Sequence, residues 1–128
     1  MAEGGKKKVL IAEDEAPMAR VLSDKFTREG FEVFTAGDGE AALQLALKER
    51  PDVILLDVVM PKMDGMTVMK KLREEGDWGK HVPLVVLTNL VANDNIMGRV
   101  IVDEPSYYLV KSETSIEDIV RKAKESIK

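Results

Sequence analysis

Short hydrophobic runs recur along the chain and alternate with longer amphipathic segments. The runs are rich in Val, Ile and Leu, and they cover residues 9–12, 31–35, 53–56, 84–87 and 107–110. Near-continuous hydrophobicity of this length is typical of strands that are covered on both faces of a parallel sheet. We therefore predict five parallel strands.

Between these runs, apolar residues recur at helical spacing and predict amphipathic helices. Pro17 suits the first turn of the first helix, which ends near Gly30, and Asp64 suits the N-cap of the third. Thr114 and Glu117 have the spacing of a capping box before the last helix. The four clear stripes consist of Met18, Val21, Leu22 and Phe26; Ala42, Leu43, Ala46 and Leu47; Met66, Met69 and Leu72; and Ile116, Ile119, Val120, Ala123 and Ile127.

The connection between the fourth and fifth runs has a mixed pattern. Its apolar residues would share one face of a helix, but residues 100–102 are β-branched and would also suit a strand. We predict a fourth helix here, with an apolar face formed by Ile96, Met97, Val100 and Ile101.

About five β/α repeats result, which predicts a single α/β domain with helices on both faces of the sheet. We expect the flavodoxin-like, doubly wound strand order 2-1-3-4-5. The domain should take in residues 8–128, after a tail of residues 1–7.

The composition narrows the class of protein. The 128 residues are enough for one domain whose core needs neither disulfides nor metal, and the lack of cysteine excludes thiolate sites and a cysteine nucleophile. A net charge of -4 gives no electrostatic footprint for nucleic acid or an anionic membrane. No apolar run approaches the roughly 20 residues of a membrane span. We predict a soluble cytoplasmic domain that contacts neither nucleic acid nor membrane.

Polar side chains follow four of the predicted strands. In an open α/β sheet the ligand crevice lies beyond the carboxyl ends of the strands, where the strand order reverses. With the order 2-1-3-4-5, Glu13, Asp14 and Asp57 should converge there. The full set is Glu13, Asp14 and Glu15 after the first strand, Asp57 after the third, Thr88 and Asn89 after the fourth, and Lys111 and Ser112 after the fifth.

Clustered carboxylates repel one another, which raises the pKa of at least one of them unless a cation neutralises them. An all-oxygen cluster suits a hard ion, and Mg²⁺ is the usual one beside phosphate. Asp14 or Glu15 could instead simply face the dipole of the first helix. The coincidence of carboxylates with Thr88 and Lys111 favours phosphoryl transfer, which needs positioning and charge stabilisation.

Four motifs in this order resemble the receiver domain of two-component response regulators. They are V-L-I-A-E-D-E at residues 9–15, I-L-L-D-V-V-M-P-K-M-D-G at 54–65, V-V-L-T-N at 85–89 and Y-L-V-K at 108–111. The resemblance extends from about Lys8 to Ile127, and the combination is highly specific although each motif alone would be weak.

The resemblance implies a role for each matching residue. Asp57 would accept a phosphoryl group from a histidine kinase or phosphotransfer protein, and Thr88 and Lys111 would contact that group. Mg²⁺, with Mn²⁺ as a substitute, would be held by Glu13, Asp14, Asp57 and the backbone carbonyl of Val59. The chain would thus catalyse its own phosphorylation and slow dephosphorylation.

The family's switch and output face follow from the same resemblance. Thr88 and Tyr108 would form the switch, and the fourth helix, fifth strand and fifth helix would bind a downstream protein or a second copy. Val59, Asn89 and Leu90 would lie beside the path of the hydrolytic water and would set the lifetime of the phosphorylated state.

Several positions depart from the family pattern. Glu13 replaces the usual Asp, Asn89 replaces a small residue, and Ser112 replaces a Pro that typically follows a cis bond. We expect a trans bond before Ser112, because cis bonds are rare without proline. Glu104 and Pro105 replace a frequent Gly-Ala pair.

Two other functions stay open. A phosphatase of the haloacid-dehalogenase-like kind would need an acidic residue where Val59 stands, because valine cannot transfer a proton. A receiver-like interaction module that takes no phosphate is hinted at only by Asn89 and Ser112.

A glycine motif, the one histidine and the end of the last helix give weaker evidence about function. Residues 37–42 fit G-x-G-x-x-A, but after the second strand we expect a turn with a helix cap rather than a dinucleotide site. His81 should lie in a solvated loop. Because the last helix runs to Lys128, we expect a stand-alone regulator, although an excised receiver domain would have the same sequence.

Overall fold

Five parallel strands form the centre of the molecule. The computed structural model describes residues 6–89 and 105–127. The strand order is β2-β1-β3-β4-β5 and every pairing is parallel, as the sequence predicts. The predicted bounds are correct to within one residue. The strands are β1 Lys8–Ala12, β2 Glu32–Ala36, β3 Val53–Leu56, β4 Leu84–Thr88 and β5 Tyr107–Val110.

Helices cover both faces of this sheet. Asp38 and Asp64 cap α2 and α3, because each side chain accepts a hydrogen bond from a backbone N–H three residues on, at 2.7 and 2.8 Å. The described helices, numbered in chain order, are α1 Ala16–Arg28, α2 Gly39–Glu49, α3 Gly65–Arg73, α4 Gly76–His81 and α5 Ile116–Ser126, with a 3₁₀ turn at Lys111–Glu113.

The buried apolar residues form one layer on each face of the sheet. One layer joins Leu10, Ile54 and Leu56 to α2 and α3. The other joins the alternate strand residues, such as Ile11 and Leu55, to α1 and α5. Residues of β3 and β4 are buried throughout, since both faces of these strands are covered. The polar residues after these strands therefore lie at the rim of the core.

The helix α4 corrects the prediction that His81 lies in a loop. His81 is the last residue of α4, and its ring Nδ1 is 3.1 Å from the carbonyl oxygen of Asp77. The guanidinium of Arg73 donates to the carbonyl oxygens of Gly79 and Val82 at 2.9 and 2.7 Å. A tertiary contact, rather than an apolar stripe, thus holds this short helix.

The predicted cap of the last helix is also wrong. Ser115, not Thr114, is the N-cap of α5, and its hydroxyl accepts from the N–H of Asp118 at 3.1 Å. Thr114 instead donates to the carbonyl oxygen of Val110 at 2.8 Å and closes the 3₁₀ turn. Because of that turn, α5 begins one residue later than the sequence predicts.

Two further expectations concern the backbone and the fourth predicted helix. The described residues contain no cis peptide bond, so the bond before Ser112 is trans as predicted. Ile96, Met97, Val100, Ile101 and Glu104 lie outside the described residues. No helix in the described ranges is long and apolar enough to cross a membrane.

Candidate functional site

An open pocket of about 280 Å³ lies at the carboxyl edge of the sheet. Residues from the ends of four strands line it, because β1 and β3 are neighbours and β4 and β5 follow beside them. The lining residues are Asp14, Glu15, Asp57, Val59, Thr88, Asn89 and Lys111. The switch point of the strand order therefore holds most of the residues that the sequence singled out.

Asp57 is a buried carboxylate directly after β3. Its backbone N–H donates to the carbonyl oxygen of Ala12 at 3.0 Å, which ties the residue to the end of β1. The N–H of Val59 donates to its Oδ1 at 3.2 Å, and Lys111 Nζ lies 2.9 Å from Oδ2. A cation and a backbone donor thus offset the cost of burying this charge.

A glycine fixes the chain just behind Asp57. The N–H of Gly65 donates to the carbonyl oxygen of Val58 at 2.8 Å. A Cβ at Gly65 would lie 2.0 Å from the carbonyl oxygen of Asp57. Only glycine lets the start of α3 approach the backbone of the acceptor loop so closely.

Lys111 joins three carboxylates. Its Nζ lies 2.6 Å from Glu13 Oε1, 2.9 Å from Glu15 Oε1 and 2.9 Å from Asp57 Oδ2. Burial by itself would lower the pKa of Lys111, but the hydrogen bonds to Glu13, Glu15 and Asp57 outweigh it, so the pKa is raised. The ammonium group therefore stays charged throughout the physiological pH range.

Glu13 is the most deeply buried of these acids, with its side chain 2% exposed. Burial raises the pKa of Glu13, and the hydrogen bonds from Lys111 and from the N–H of Glu15 only partly offset this. Repulsion from the Asp57 carboxylate also raises the pKa of Glu13, but less than burial does. The sequence predicts a raised pKa from repulsion between carboxylates, but at Glu13 burial rather than like charge is the main cause.

Three of the carboxylates are close enough to share a cation. One oxygen each from Glu13, Asp14 and Asp57 lies within 4.8 Å of the others, and Asp14 is exposed while the other two are buried. No other group of three potential ligands of this kind occurs among residues 6–89 and 105–127. The all-oxygen set fits a hard divalent ion such as Mg²⁺.

The remaining predicted residues surround this cluster at different depths. Thr88 is buried at the end of β4, and Tyr108 is half-buried on the adjacent strand β5. Burial, and then the charge of Asp57, raises the pKa of Tyr108. Asn89 and Val59 are exposed at the pocket, whereas Leu90 lies outside the described residues.

Sequence reasoning missed the contact between Glu15 and Lys111. Glu15 stands at the N-cap position of α1, but its side chain makes no capping hydrogen bond. It accepts from Lys111, which is 96 positions away along the chain. The acidic triplet before Pro17 is the one available signal, and it points equally to a helix cap.

Comparison with known proteins places the chain among signalling proteins. Residues 9–124 match the model of the response regulator receiver domain. A probable transcriptional regulator, ycf27, from Porphyra purpurea is 46% identical over 88 residues, which cover 69% of this chain and 35% of that protein. The chain thus matches only about a third of the length of that relative.

Solved structures show the same fold. The chemotaxis protein CheY4 of Vibrio cholerae superposes with a TM-score of 0.86 at 29% identity, covering 96% of this chain and all of that one. The CheX–CheY–BeF3–Mg complex of Borrelia burgdorferi gives a TM-score of 0.81 at 25% identity, with coverage of 93% and 87%. Because the family match extends over residues 9–124 and includes the whole pocket, this chain belongs to the response regulator receiver domain family.

Proposed function

We propose that the chain accepts a phosphoryl group on Asp57 from a phosphohistidine and then changes its affinity for a downstream protein. Receiver domains interact with histidine kinases or phosphotransfer proteins and with downstream effectors. The supporting observation is the buried Asp57 carboxylate, held between Lys111 Nζ at 2.9 Å and the Val59 N–H at 3.2 Å. This domain would comprise residues 8–128, after a tail of residues 1–7.

Asp57 would act as the nucleophile. One of its oxygens would form a bond to phosphorus while the bond from phosphorus to the histidine nitrogen breaks and leaves its electron pair on that nitrogen. Lys111 and the Thr88 hydroxyl would donate to the phosphoryl oxygens, on which negative charge accumulates. Both side chains line the pocket with Asp57, which supports these roles.

Receiver domains bind Mg²⁺ at an acidic pocket, and the cluster of Glu13, Asp14 and Asp57 fits that ion. The backbone carbonyl of Val59 would complete the protein's ligands, and Mn²⁺ should be able to replace Mg²⁺. Bound there, the ion would neutralise charge on the transferred phosphoryl group.

The signal would leave the pocket through Thr88 and Tyr108. A phosphoryl group on Asp57 would draw Thr88 towards it and free space that Tyr108 can occupy, so that a local charge biases a packing equilibrium. The location of Thr88 and Tyr108 on neighbouring strands supports this coupling. The face that responds would consist of β5, α5 and the predicted fourth helix, and would bind a downstream protein or a second copy.

The two other functions have less support. Val59 lies at the pocket but cannot act as the general acid that a haloacid-dehalogenase-like phosphatase needs. A module that takes no phosphate would use neither the Lys111–Asp57 contact nor the acidic cluster, although Asn89 does line the same pocket.

Labelling distinguishes the three functions. The purified chain should take up radiolabelled phosphate from a phosphohistidine donor and from acetyl phosphate in Mg²⁺, as a hydroxylamine-sensitive acyl phosphate. Asp57→Asn should abolish the label, whereas Asp24→Asn, at an exposed carboxylate of α1, should retain it. An unlabelled wild-type chain would support the module, and steady release of phosphate without label would support the phosphatase.

A further inference from the structure

Glu15 lies at the entrance of the pocket. Its side chain is 57% exposed, whereas the other two carboxylates that contact Lys111, those of Glu13 and Asp57, are 2% and 7% exposed. Glu15 lines both the pocket and an adjoining surface concavity of about 460 Å³, which extends over Pro17, Met18 and other residues of α1. A molecule that enters the pocket from this side therefore passes the Glu15 carboxylate.

The fixed charge of this entrance is negative. Carboxylates from Glu13, Glu15 and Asp57 contact one ammonium group, that of Lys111, and the carboxylate of Asp14 lies within 4.8 Å of those of Glu13 and Asp57. Among residues 6–89 and 105–127, Lys111 is the only cationic side chain that lines either concavity. An incoming phosphoryl donor is itself an anion, and the repulsion that it experiences from Glu15 rises with its own charge.

We propose that Glu15 selects the phosphoryl donor by charge, slowing transfer from strongly anionic donors relative to donors of lower negative charge. This inference rests on the proposed function of Asp57.

In the reaction with acetyl phosphate, Asp57 forms the new bond to phosphorus, the bond from phosphorus to the acetate oxygen breaks, and acetate leaves. In the reaction with phosphoramidate, the bond to nitrogen breaks and ammonia leaves from a nitrogen that already carries its proton. That proton gives phosphoramidate the lower net negative charge at neutral pH.

The comparison of these two donors separates a charge effect from a structural one. A Glu15 variant that merely loosens Lys111 should change both rates by the same factor. Loss of the entrance charge should instead favour acetyl phosphate over phosphoramidate. The measured quantity is therefore a ratio of second-order rate constants for labelling of Asp57 at saturating Mg²⁺. It is the rate constant with acetyl phosphate divided by the rate constant with phosphoramidate.

Glu15→Gln should raise that ratio about threefold at low ionic strength, as expected for one unit charge removed from a solvent-exposed entrance. Glu15→Asp keeps the charge and should retain a ratio close to that of the wild type. Glu74→Gln removes an exposed carboxylate beyond the C-terminal end of α3 and should leave the ratio unchanged. Added salt should raise the ratio of the wild type towards that of Glu15→Gln, which tests the proposal without any substitution.

An unchanged ratio in Glu15→Gln, or a salt-independent ratio in the wild type, would overturn the selection by Glu15 while leaving Asp57 as the acceptor. No labelling of the wild type by either donor would instead overturn the proposed function. The two failures are therefore distinguishable in one set of measurements.

Discussion

The two exposed valines of the described chain, Val59 and Val21, differ in what lies beside them. Val59 is 57% exposed and lines the pocket, whereas Val21 is 49% exposed on α1 and lines only the adjoining concavity. Hydrolysis of a phosphoaspartate requires a water in line behind the phosphorus, and an apolar side chain cannot orient that water by hydrogen bonding. We therefore expect a slowly hydrolysing phosphorylated state.

Val59→Asn should shorten the lifetime of the phosphorylated state about tenfold, because one added hydrogen bond to the water is worth about 1.4 kcal/mol in the barrier. Loss of label in Mg²⁺, followed on Phos-tag gels, measures the rate. Val21→Asn provides the matched control and should leave the lifetime unchanged. Equal lifetimes in both variants, or a wild-type half-life of seconds, would contradict a role for Val59.

Residue identity alone predicts most of the pocket but not its ion pairs. The sequence predicts a position at the pocket for Asp57, Thr88 and Lys111, because each directly follows or ends a hydrophobic strand. The strand order then brings the ends of these strands together. The side chain of Glu15 could not be placed, since its partner lies 96 residues away and a helix-cap role was equally compatible with its position.

At the scale of elements, strands were predicted better than short helices. The hydrophobic runs fix the strands because burial on both faces leaves a continuous signal. The six residues of α4 include two glycines and carry no stripe, and contacts of Arg73 with Gly79 and Val82 hold them. Thr and Ser are both residue types that are preferred at N-caps, so local propensity does not decide between Thr114 and Ser115. The 3₁₀ turn, which Thr114 closes, leaves Ser115 as the cap of α5.

The start of α3 provides a test of how elements position the site. Gly65→Ala would bring a Cβ into contact with the backbone of Asp57, so the acceptor loop must shift. We expect a loss of about 2 kcal/mol in the free energy of unfolding, as for other overpacked sites, and slower labelling of Asp57. Urea denaturation and the labelling rate measure the two effects.

Gly37→Ala is the matched control for that substitution, because no atom lies within 4 Å of a Cβ at Gly37. It should change the free energy of unfolding by no more than about 0.5 kcal/mol and leave labelling unaffected. A Gly65→Ala variant as stable and as active as Gly37→Ala would show that the close approach to Asp57 is not required.

At the scale of the whole molecule, the strand order gathers side chains that are far apart in sequence. The ends of β1, β3, β4 and β5 all contribute to one pocket. Three carboxylates held together in the folded chain, but separated in the unfolded one, should bind a divalent cation only when folded. Metal binding should therefore stabilise the fold by mass action.

Mg²⁺ at about ten times its dissociation constant should add about 1.4 kcal/mol to the free energy of unfolding, and Mn²⁺ should act similarly. Calorimetry with and without the metal measures the shift in Tm, and chelation should reverse it. Asp14→Asn should lose most of the gain, whereas Asp24→Asn should keep it. A full metal response in Asp14→Asn would refute the cluster of Glu13, Asp14 and Asp57 as the site.

The bottom of the sheet, at the amino ends of the strands, holds both ends of the described chain. The backbone N–H of Lys8, where β1 begins, donates to Asp52 at 2.7 Å, just before β3. Ile127, directly after α5, lines a concavity there with Pro51 and Pro83. Asp57 lies beyond the opposite, carboxyl ends of these strands. A polypeptide joined next to Lys8 or Ile127 would therefore start on the side away from Asp57, so further modules could be added there while the pocket at the carboxyl edge stays open to a second protein.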